Sequence, residues 1–327
     1  MLLNGLRRLY ALAVCGGALA SAGLAIAAVC GALDANLDVF AHLAPLYLAG
    51  SVAGLALALA LRGPAGRIAA IAAILGLAAC GILMAPEFLA IRFPPPPPGD
   101  EDRDFKLIEF NTLSGNKRSG DALQWLLKQQ ADVLVLTEGA AVEDGLVRRG
   151  HYHLSCGNCY AQILTKVEPN WTNTPANWRI KPDPVSVVSL PDRGAPITIL
   201  AVHRAWAIHP RVFQPEMAEL ARTAAKYPKG RMIIAGDFNS TPWSSARRQE
   251  DRALGLTRRT RALFTWPAER ASHARALPPF PVLPIDHVYA GPGWATVRVE
   301  RGPNLGSDHY PVIVTLRRLA DQRTTPP

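Results

Sequence analysis

The chain has 327 residues, of which 49% are hydrophobic, and its formal net charge at pH 7 is +9. The hydrophobic content is high for a soluble protein and is concentrated in the first 92 residues, which excludes a single uniform soluble domain. The moderate positive charge suits polyanionic or phosphate-bearing partners, but it does not select one of them.

Three long apolar stretches lie in the N-terminal part of the chain, at positions 9–33, 42–61 and 68–91. Because about 20 apolar residues span a bilayer, they predict three transmembrane helices, the third weakened by an internal proline and glutamate. A cleaved signal peptide is the alternative for the first stretch, but its apolar core is too long and two further stretches follow directly. We therefore expect residues 1–92 to form a membrane anchor.

The basic residues of this region predict its orientation. Arg7 and Arg8 precede the first stretch, and Arg62 and Arg67 lie between the second and third, whereas residues 34–42 carry no lysine or arginine. By the positive-inside rule, the N-terminus and the loop with Arg62 and Arg67 are cytoplasmic, so the chain after the third helix lies outside. The prediction is a multi-pass membrane anchor with the remaining chain on the extracytoplasmic side.

A proline-rich segment separates this region from the rest. Residues 93–104 read FPPPPPGDEDRD, a composition typical of a stiff, solvated spacer. We expect a globular domain over residues 105–319 and a tail over residues 320–327.

Two cysteines of the predicted domain, Cys156 and Cys159, form the motif CGNC. On the outer side of a membrane this spacing suits a disulfide. Half of a zinc site is the alternative, but no second CxxC or paired histidine completes it.

The predicted domain contains many short apolar or alternating runs and few helical ones. We predict strands at residues 106–113, 131–138, 185–190, 197–203 and 231–239 and after residue 285, a hairpin around CGNC, and helices at residues 121–130, 214–227 and 243–254. Strands that follow one another with few intervening helices favour a mixed α+β core of two sheets over a Rossmann fold. No GxGxxG or Walker motif is present.

Polar residues stand where six of the predicted strands meet loops. They are Asn111, Glu138, His203, Asp237 with Asn239, Asp286, and Asp308 with His309. Each alone has a structural explanation, because Asn and Asp cap turns and single histidines are commonly structural. Six such strand ends together predict one common site.

The segments EFN, LTE, AVH, GDFN, IDHV and GSDHYPV occur in this order, and over residues 105–317 the chain resembles the endonuclease/exonuclease/phosphatase superfamily. This superfamily includes DNase I-like nucleases and sphingomyelinases. The resemblance implies a four-layer α/β sandwich, in which two packed mixed β-sheets are flanked by helices. With the three N-terminal helices and the proline linker, the chain is similar to a bacterial membrane-anchored branch of the superfamily.

The resemblance also implies phosphodiester hydrolysis with Mg²⁺, for which Mn²⁺ is a possible substitute. Glu138 is the expected ligand of the cation, because a hard carboxylate suits Mg²⁺. Asp308 is expected to help hold this metal or a second one. Asn111 is expected beside the metal and the attacking water.

The remaining site residues receive catalytic roles by the same resemblance. Asp237 is expected to orient and deprotonate the attacking water, and Asn239 to donate hydrogen bonds to the transition-state oxygens. His203 and His309 are expected to contact the scissile phosphate. Asp286 is expected to pair with His309 and to favour its cationic form.

The substrate is open at this stage. A nuclease is the first hypothesis, with Trp266 of RRTRALFTWP as a stacking group and nucleic acid as partner. A phosphatase, or a phospholipase C or sphingomyelinase acting on phospholipid or inositol phosphate head groups, is the alternative, with PPFPVLP (278–284) as its apolar docking loop. Arg204 follows His203 and either binds additional phosphate or belongs to a basic loop. The lipid bilayer is the expected partner of the N-terminal helices, and no protein partner is predicted.

Overall fold

The structure is a computed structural model that describes residues 2–89, 96, 98, 104–155, 159–173, 185–192, 194–268 and 280–319. Most of the predicted linker, the tail and Cys156 lie outside these ranges, and Cys159 is disulfide-bonded. The chain divides into two compact units. The first consists of Met1–Ala90, Ala207–Pro210 and Ser240–Gln249, and the second of Ile91–Trp206, Arg211–Asn239 and Glu250–Pro327. The first unit therefore contains two segments from beyond the predicted anchor.

The N-terminal part of the first unit is helical. Its helices are α1 (Leu2–Val29), α2 (Ala35–Asp38), α3 (Ala44–Ala58) and α4 (Pro64–Leu89), with 3-10 turns at Cys30–Ala32 and Val39–Leu43. Three helical stretches are long and apolar enough to cross a membrane: Gly5–Ala32, Ala35–Ala58 and Pro64–Leu89. The prediction of three apolar N-terminal helices is thus confirmed, with boundaries that differ by a few residues.

Small residues bring these helices into close contact. A Cβ atom added to Gly50 would collide with the hydroxyl of Ser21, and one added to Gly76 would collide with that of Ser51. Close van der Waals packing at small residues of this kind is common between apolar helices that are long enough to cross a membrane.

The strands of the second unit, numbered along the chain, form two six-stranded sheets. In spatial order the first sheet contains β11 (Trp294–Arg301), β12 (Val312–Arg318), β1 (Asp104–Asn111), β2 (Val133–Thr137), β4 (Ala161–Thr165) and β3 (His153–Leu154). The second sheet contains β5 (Trp171–Thr172), β6 (Val185–Leu190), β7 (Ile197–His203), β8 (Met232–Asp237), β10 (Asp286–Ala290) and β9 (Thr257–Arg258). Among the described strands, β1–β2 and β7–β8 pair in parallel and the other pairs are antiparallel.

Four helices accompany the sheets: α5 (Ser119–Gln129), α6 (Ala140–Gly150), α7 (Pro210–Ala224) and α8 (Ser245–Leu254). Alternate residues of each central strand face opposite sides. Leu107 of β1 therefore packs in the core between the two sheets, whereas Ile108 packs with residues of α5 and α6 on the outer face. Residues of α7 and α8 cover the outer face of the second sheet. This arrangement confirms the predicted four-layer α/β sandwich.

Helix α6 was not among the predicted elements. Its sequence nevertheless carries a helical signal, because Val142 and Leu146 are four residues apart and both are buried. An acidic residue in the first turn, Glu143, and the basic Arg148 and Arg149 in the last turn match the helix dipole.

Candidate active site

The two parallel strand pairs bring the predicted residues to one edge of the second unit. In the second sheet, His203 at the end of β7 is opposite Asp237 at the end of β8. Asp286, at the start of the antiparallel β10, is the other neighbour of Asp237 in the same register. In the first sheet, Asn111 ends β1 beside the end of β2, and Glu138 follows β2 directly.

A glycine permits the close pairing of β7 and β8. Gly236 has φ +150°, and a Cβ atom at this position would collide with the carbonyl oxygen of Val202. A side chain at Gly236 would therefore separate the two strands next to His203 and Asp237.

Asp237 is the centre of the cluster and is fully buried. Its Oδ2 atom accepts hydrogen bonds from the Nδ2 atoms of Asn111 at 3.1 Å and Asn239 at 3.2 Å, and Oδ1 accepts from the backbone N–H of Asn239 at 2.8 Å. The Nε2 atoms of His203 and His309 lie 3.8 and 3.7 Å from Oδ2. Burial raises the pKa of Asp237 to about 6, against the opposing charge of His309. A carboxylate with this pKa can accept a proton near neutral pH.

Asp286 and His309 form a buried pair. The Nδ1 atom of His309 lies 2.9 Å from Oδ2 and 3.1 Å from Oδ1 of Asp286. Burial alone would lower the pKa of His309, but the carboxylates of Asp286 and Asp237 outweigh it and raise this pKa to about 10. The ring is therefore an imidazolium at neutral pH, with Nε2 turned toward Asp237.

Glu138 lies at the other side of Asn111 and is only half-buried. Its Oε1 accepts a hydrogen bond from Asn111 Nδ2 at 3.2 Å, and Oε2 accepts one from the backbone N–H of Ser114 at 2.7 Å. Burial acts to raise the pKa of Glu138, but these hydrogen bonds outweigh it and the pKa is lowered. Glu138 is therefore ionised at neutral pH.

Two positions in this cluster have the chemistry of a cation site. Asp237, Asp286 and His309 offer ligand atoms within 4.8 Å of one another and could hold a metal ion. The positive charge of His309 opposes a second cation there, since its Nδ1 is already bonded to Asp286. The ionised oxygens of Glu138 carry no such opposing charge in direct contact and fit a hard divalent ion better.

Asn239 does not present the donor that the sequence predicts. Its Nδ2 group donates to Asp237 Oδ2 at 3.2 Å and to the backbone oxygen of Arg204 at 2.8 Å. Both amide hydrogens are therefore used, and the geometry does not support donation to transition-state oxygens. The buried Oδ1 atom accepts no hydrogen bond from any described residue. The free acceptor of Asn239 suits a water molecule instead.

Arg204 is placed differently from its predicted role. Its side chain is 3% exposed, and its guanidinium pairs with both carboxylate oxygens of Glu250, with 2.7 Å between Nη1 and Oε2. The guanidinium also lies over the ring of Phe238, 5.0 Å from its centre. A group held this way does not reach a substrate, so the predicted substrate contact is not supported. Arg204 instead forms a buried ion pair with Glu250.

Asp308 and Trp266 are in contact with each other. The indole Nε1 of Trp266 donates to Asp308 Oδ2 at 3.2 Å. The ring of Trp206 meets that of Trp266 edge-on, with 5.2 Å between centres, and Trp206 is 41% exposed. Sequence reasoning missed Trp206, although an aromatic residue three positions after His203 was a usable signal.

The comparisons with known proteins agree with this geometry. Residues 108–309 match the sequence model of the Endonuclease/Exonuclease/phosphatase family, and the chain belongs to this family. It is therefore a phosphoester-hydrolysing enzyme of the phosphodiesterase or phosphatase type, as the sequence predicts.

Solved structures with the same fold come from different sources. The endonuclease domain of TRAS1, a telomere-specific non-LTR retrotransposon, is 13% identical with a TM-score of 0.50, covering 66% of this chain and all (100%) of that one. A family member from Bacteroides thetaiotaomicron is 14% identical with a TM-score of 0.50, covering 65% and 94%. A "functionally unknown conserved protein" from Enterococcus faecalis V583 is 16% identical with a TM-score of 0.51, covering 65% and 100%. No curated protein sequence matches the chain.

Proposed function

We propose that this protein is a membrane-anchored, Mg²⁺-dependent phosphodiester hydrolase in which Asp237 deprotonates the attacking water. The observation that carries this proposal is the buried carboxylate of Asp237, whose pKa is raised to about 6. It lies between two histidines and two asparagine amides. A base with a pKa near the working pH is the kind that accepts a proton efficiently.

The other residues of the cluster complete the chemistry. The free Oδ1 of Asn239 accepts a hydrogen bond from the attacking water, which orients a lone pair of the water oxygen toward phosphorus. Asp237 accepts the other hydrogen of the water as a proton. The imidazolium of His309 donates from Nε2 to a phosphate oxygen and stabilises its negative charge, with His203 on the other side. Asp286 keeps His309 charged.

Glu138 is the residue that would hold Mg²⁺, with Asp308 as the candidate for a further contact. The bound cation supplies charge neutralisation at the phosphate. The lowered pKa of Glu138 and its oxygen-only donor set support this assignment. Asn111 holds the two carboxylates in register, because its amide donates to both Glu138 and Asp237.

We place the protein in the bacterial inner membrane with its catalytic domain in the periplasm. The three apolar helices and the position of the arginines support this orientation. Protease treatment of whole cells and of spheroplasts tests it. Degradation of the catalytic domain only after the outer membrane is removed is expected, and protection in spheroplasts would contradict the orientation.

Nucleic acid is the first candidate substrate. The exposed indole of Trp206, held against Trp266 beside Asp308, offers a face on which a base can stack. Two arginines of the same segment as Trp266 do not strengthen this candidate, since Arg258 and Arg259 are buried and bonded to backbone carbonyl oxygens.

Phospholipid head groups are the second candidate. Apolar side chains of the second unit are exposed outside the core, among them Val212 at 50% and Phe280, from the PPFPVLP segment, at 59%. Exposed aromatic and aliphatic residues on a protein with membrane-spanning helices suit contact with a lipid surface.

The test uses the full-length chain in lipid nanodiscs. Plasmid DNA, RNA, sphingomyelin and an aryl phosphodiester are assayed side by side with Mg²⁺, Mn²⁺ or EDTA, and with Asp237→Asn as the blank. We expect metal-dependent hydrolysis that the variant loses, and the preferred substrate decides between nuclease and lipid enzyme. A folded wild-type chain that hydrolyses none of the four would refute the proposal.

A further inference from the structure

The first unit contains a buried carboxylate with an unusual set of partners. Asp38, in the segment between α1 and α3, is 5% exposed. Its oxygens accept hydrogen bonds from the hydroxyl of Ser244 at 2.7 Å, the backbone N–H of Ser245 at 2.6 Å and that of Ala246 at 3.0 Å. These partners all belong to Ser240–Gln249, the segment that is compact with the N-terminal helices.

The partners of Asp38 are the residue before α8 and the first two residues of this helix. The first amides of a helix have no intrahelical acceptor, and a side-chain oxygen normally satisfies one of them. Here the Ser244 hydroxyl accepts from the N–H of Arg247 at 3.2 Å, and Asp38 accepts from the two amides before it. The negative charge of Asp38 also matches the positive end of the helix dipole. Asp38 therefore supplies hydrogen-bond acceptors for the first amides of α8.

Two further contacts hold the same segment. The Nδ1 atom of His42 accepts the backbone N–H of Thr241 at 3.2 Å and lies 3.0 Å from its hydroxyl oxygen. The guanidinium of Arg248 donates to the carbonyl oxygen of Leu83 in α4. Asp38, His42 and the carbonyl of Leu83 thus each bind this segment, and all of these contacts lie within the first unit.

This segment is covalently continuous with the candidate active site. It begins directly after Asn239, which has φ +49°, a backbone conformation that depends on its surroundings. Helix α8 continues to Leu254, and its Glu250 holds the guanidinium of Arg204. The backbone oxygen of Arg204 in turn accepts the amide of Asn239. Helix α8 therefore links the residues that Asp38 binds, through the continuous chain, to the residue that holds Arg204.

We propose that Asp38 is a positioning residue for catalysis. By completing the start of α8, it holds Asn239 and Arg204 in the arrangement that Asp237 needs, so the N-terminal helices are required for catalytic rate and not only for membrane attachment. This inference rests on the proposed hydrolytic function of the same site.

Asp34 provides a matched control in the same segment. It is exposed and accepts the backbone N–H of Asn36 at 2.8 Å, so it caps a short helix but does not contact α8. Full-length wild type, Asp38→Ala, Asp38→Asn and Asp34→Ala are compared in nanodiscs on the substrate that the wild type prefers. Hydrogen exchange of the amides in residues 244–254 and in the three long helices is measured on the same samples.

We expect Asp38→Ala to lower kcat by about 10-fold or more, because displacing a catalytic group by a fraction of an ångström is costly, and to leave KM within about twofold. Exchange is expected to quicken in residues 244–254 and to stay unchanged in the long helices. Asp38→Asn retains an acceptor oxygen and is expected to recover part of the rate, whereas Asp34→Ala is expected to match the wild type.

If the wild type is active and Asp38→Ala retains full kcat, the positioning role of Asp38 is wrong, whereas the proposed hydrolytic function is unaffected. Wild type without hydrolysis of any substrate would refute the proposed function, and the catalytic role of Asp38 with it. If Asp38→Ala fails to accumulate in the membrane, Asp38→Asn decides: full kcat with unchanged exchange in residues 244–254 would equally overturn the inference.

Discussion

The two sheets of the second unit place carboxylates at equivalent positions, but they shift the pKa values of these carboxylates in opposite directions. Each sheet has one parallel pair among its described strands, and a carboxylate stands at the end of each pair: Glu138 after β2 and Asp237 in β8. The pKa of Glu138 is lowered, whereas that of Asp237 is raised to about 6. Such a separation of pKa values assigns different roles to chemically similar groups.

The surroundings explain the difference. Glu138 is half-buried and accepts the backbone N–H of Ser114, so its charged form is stabilised. Asp237 is fully buried beside the second carboxylate of Asp286, so its charged form is disfavoured despite the histidines. In the proposed mechanism, this difference makes the carboxylate of the first sheet an ionised ligand for a cation and that of the second sheet a base. Substitutions of these two carboxylates and of their neighbours test this difference.

Asp237→Asn should have the largest effect on activity. We expect kcat to fall by about 10³-fold or more, since an amide of the same shape cannot take a proton. Steady-state kinetics at saturating metal measures this. Asp192→Asn is the control, because Asp192 is a partly buried, ion-paired carboxylate whose partners are Arg231 and Arg318 instead of the site residues. A variant with normal turnover would remove Asp237 from the mechanism.

The same substitution should stabilise the fold. A buried carboxyl whose pKa is raised disfavours the native state as pH rises from about 4 through about 6, a cost on the order of 3 kcal/mol at neutral pH. Thermal unfolding of Asp237→Asn at pH 8 should therefore occur at a higher temperature than that of the wild type. At pH 3.5 or below, where the carboxyl is protonated in both states, the difference should vanish. A lower unfolding temperature at pH 8 would contradict the assigned pKa.

Asp286→Asn should change the pH dependence. In the wild type we expect activity to fall below about pH 6, as Asp237 is protonated, and above about pH 10, as His309 loses its proton. Without the Asp286 carboxylate the pKa of His309 falls toward neutrality, so the alkaline limit should move down and the rate at pH 8 should drop about tenfold or more. Rate profiles from pH 5 to 10 measure this, and an unmoved alkaline limit would contradict the role of the pair.

Glu138→Gln should weaken the response to metal. We expect the Mg²⁺ concentration for half-maximal rate to rise about tenfold or more, with part of kcat recovered at high Mg²⁺, unlike for Asp237→Asn. Glu143→Gln is the control, because Glu143 contacts Gln162 instead of the cluster. An unchanged Mg²⁺ dependence would contradict the assignment of Glu138 as the metal ligand and would favour a cation site around Asp237.

Trp206→Ala should have the smallest effect. For a nucleic-acid substrate we expect KM to rise about fivefold or more with kcat unchanged, the loss of one base stacked on an aromatic ring. Trp171→Ala is a matched control, since Trp171 is also 41% exposed but stacks on Tyr227. Equal effects of the two substitutions would indicate a general loss of aromatic surface and would weaken the nuclease reading.

Much of the second unit could be predicted because its determinants are local. Short apolar runs mark strands, and polar residues stand at their ends: Asn111 and Asp237 end β1 and β8, and Asp286 begins β10. The register of parallel strands then brings such ends together. Even helix α6 carried a readable signal in Val142 and Leu146.

The remaining features depend on contacts between distant parts of the chain. Arg204 is buried by Glu250, 46 residues later, and a single sequence does not show that pairing. The direction of the Asn239 amide is set by the backbone of Arg204. Asp38 reads as a loop acid until its partners, 206 residues away, are known. Side-chain partners at such separations are fixed by the folded structure and leave no periodic pattern.

The bond between Asp38 and α8 also orders events during biosynthesis. The ribosome makes Asp38 206 residues before Ser244, so the acceptor for the first amides of α8 is synthesised before the helix itself. The first turn of α8 is complete only after the N-terminal part of the chain has brought Asp38 to residues 244–246. On the proposed positioning role, we expect full activity only once this contact has formed.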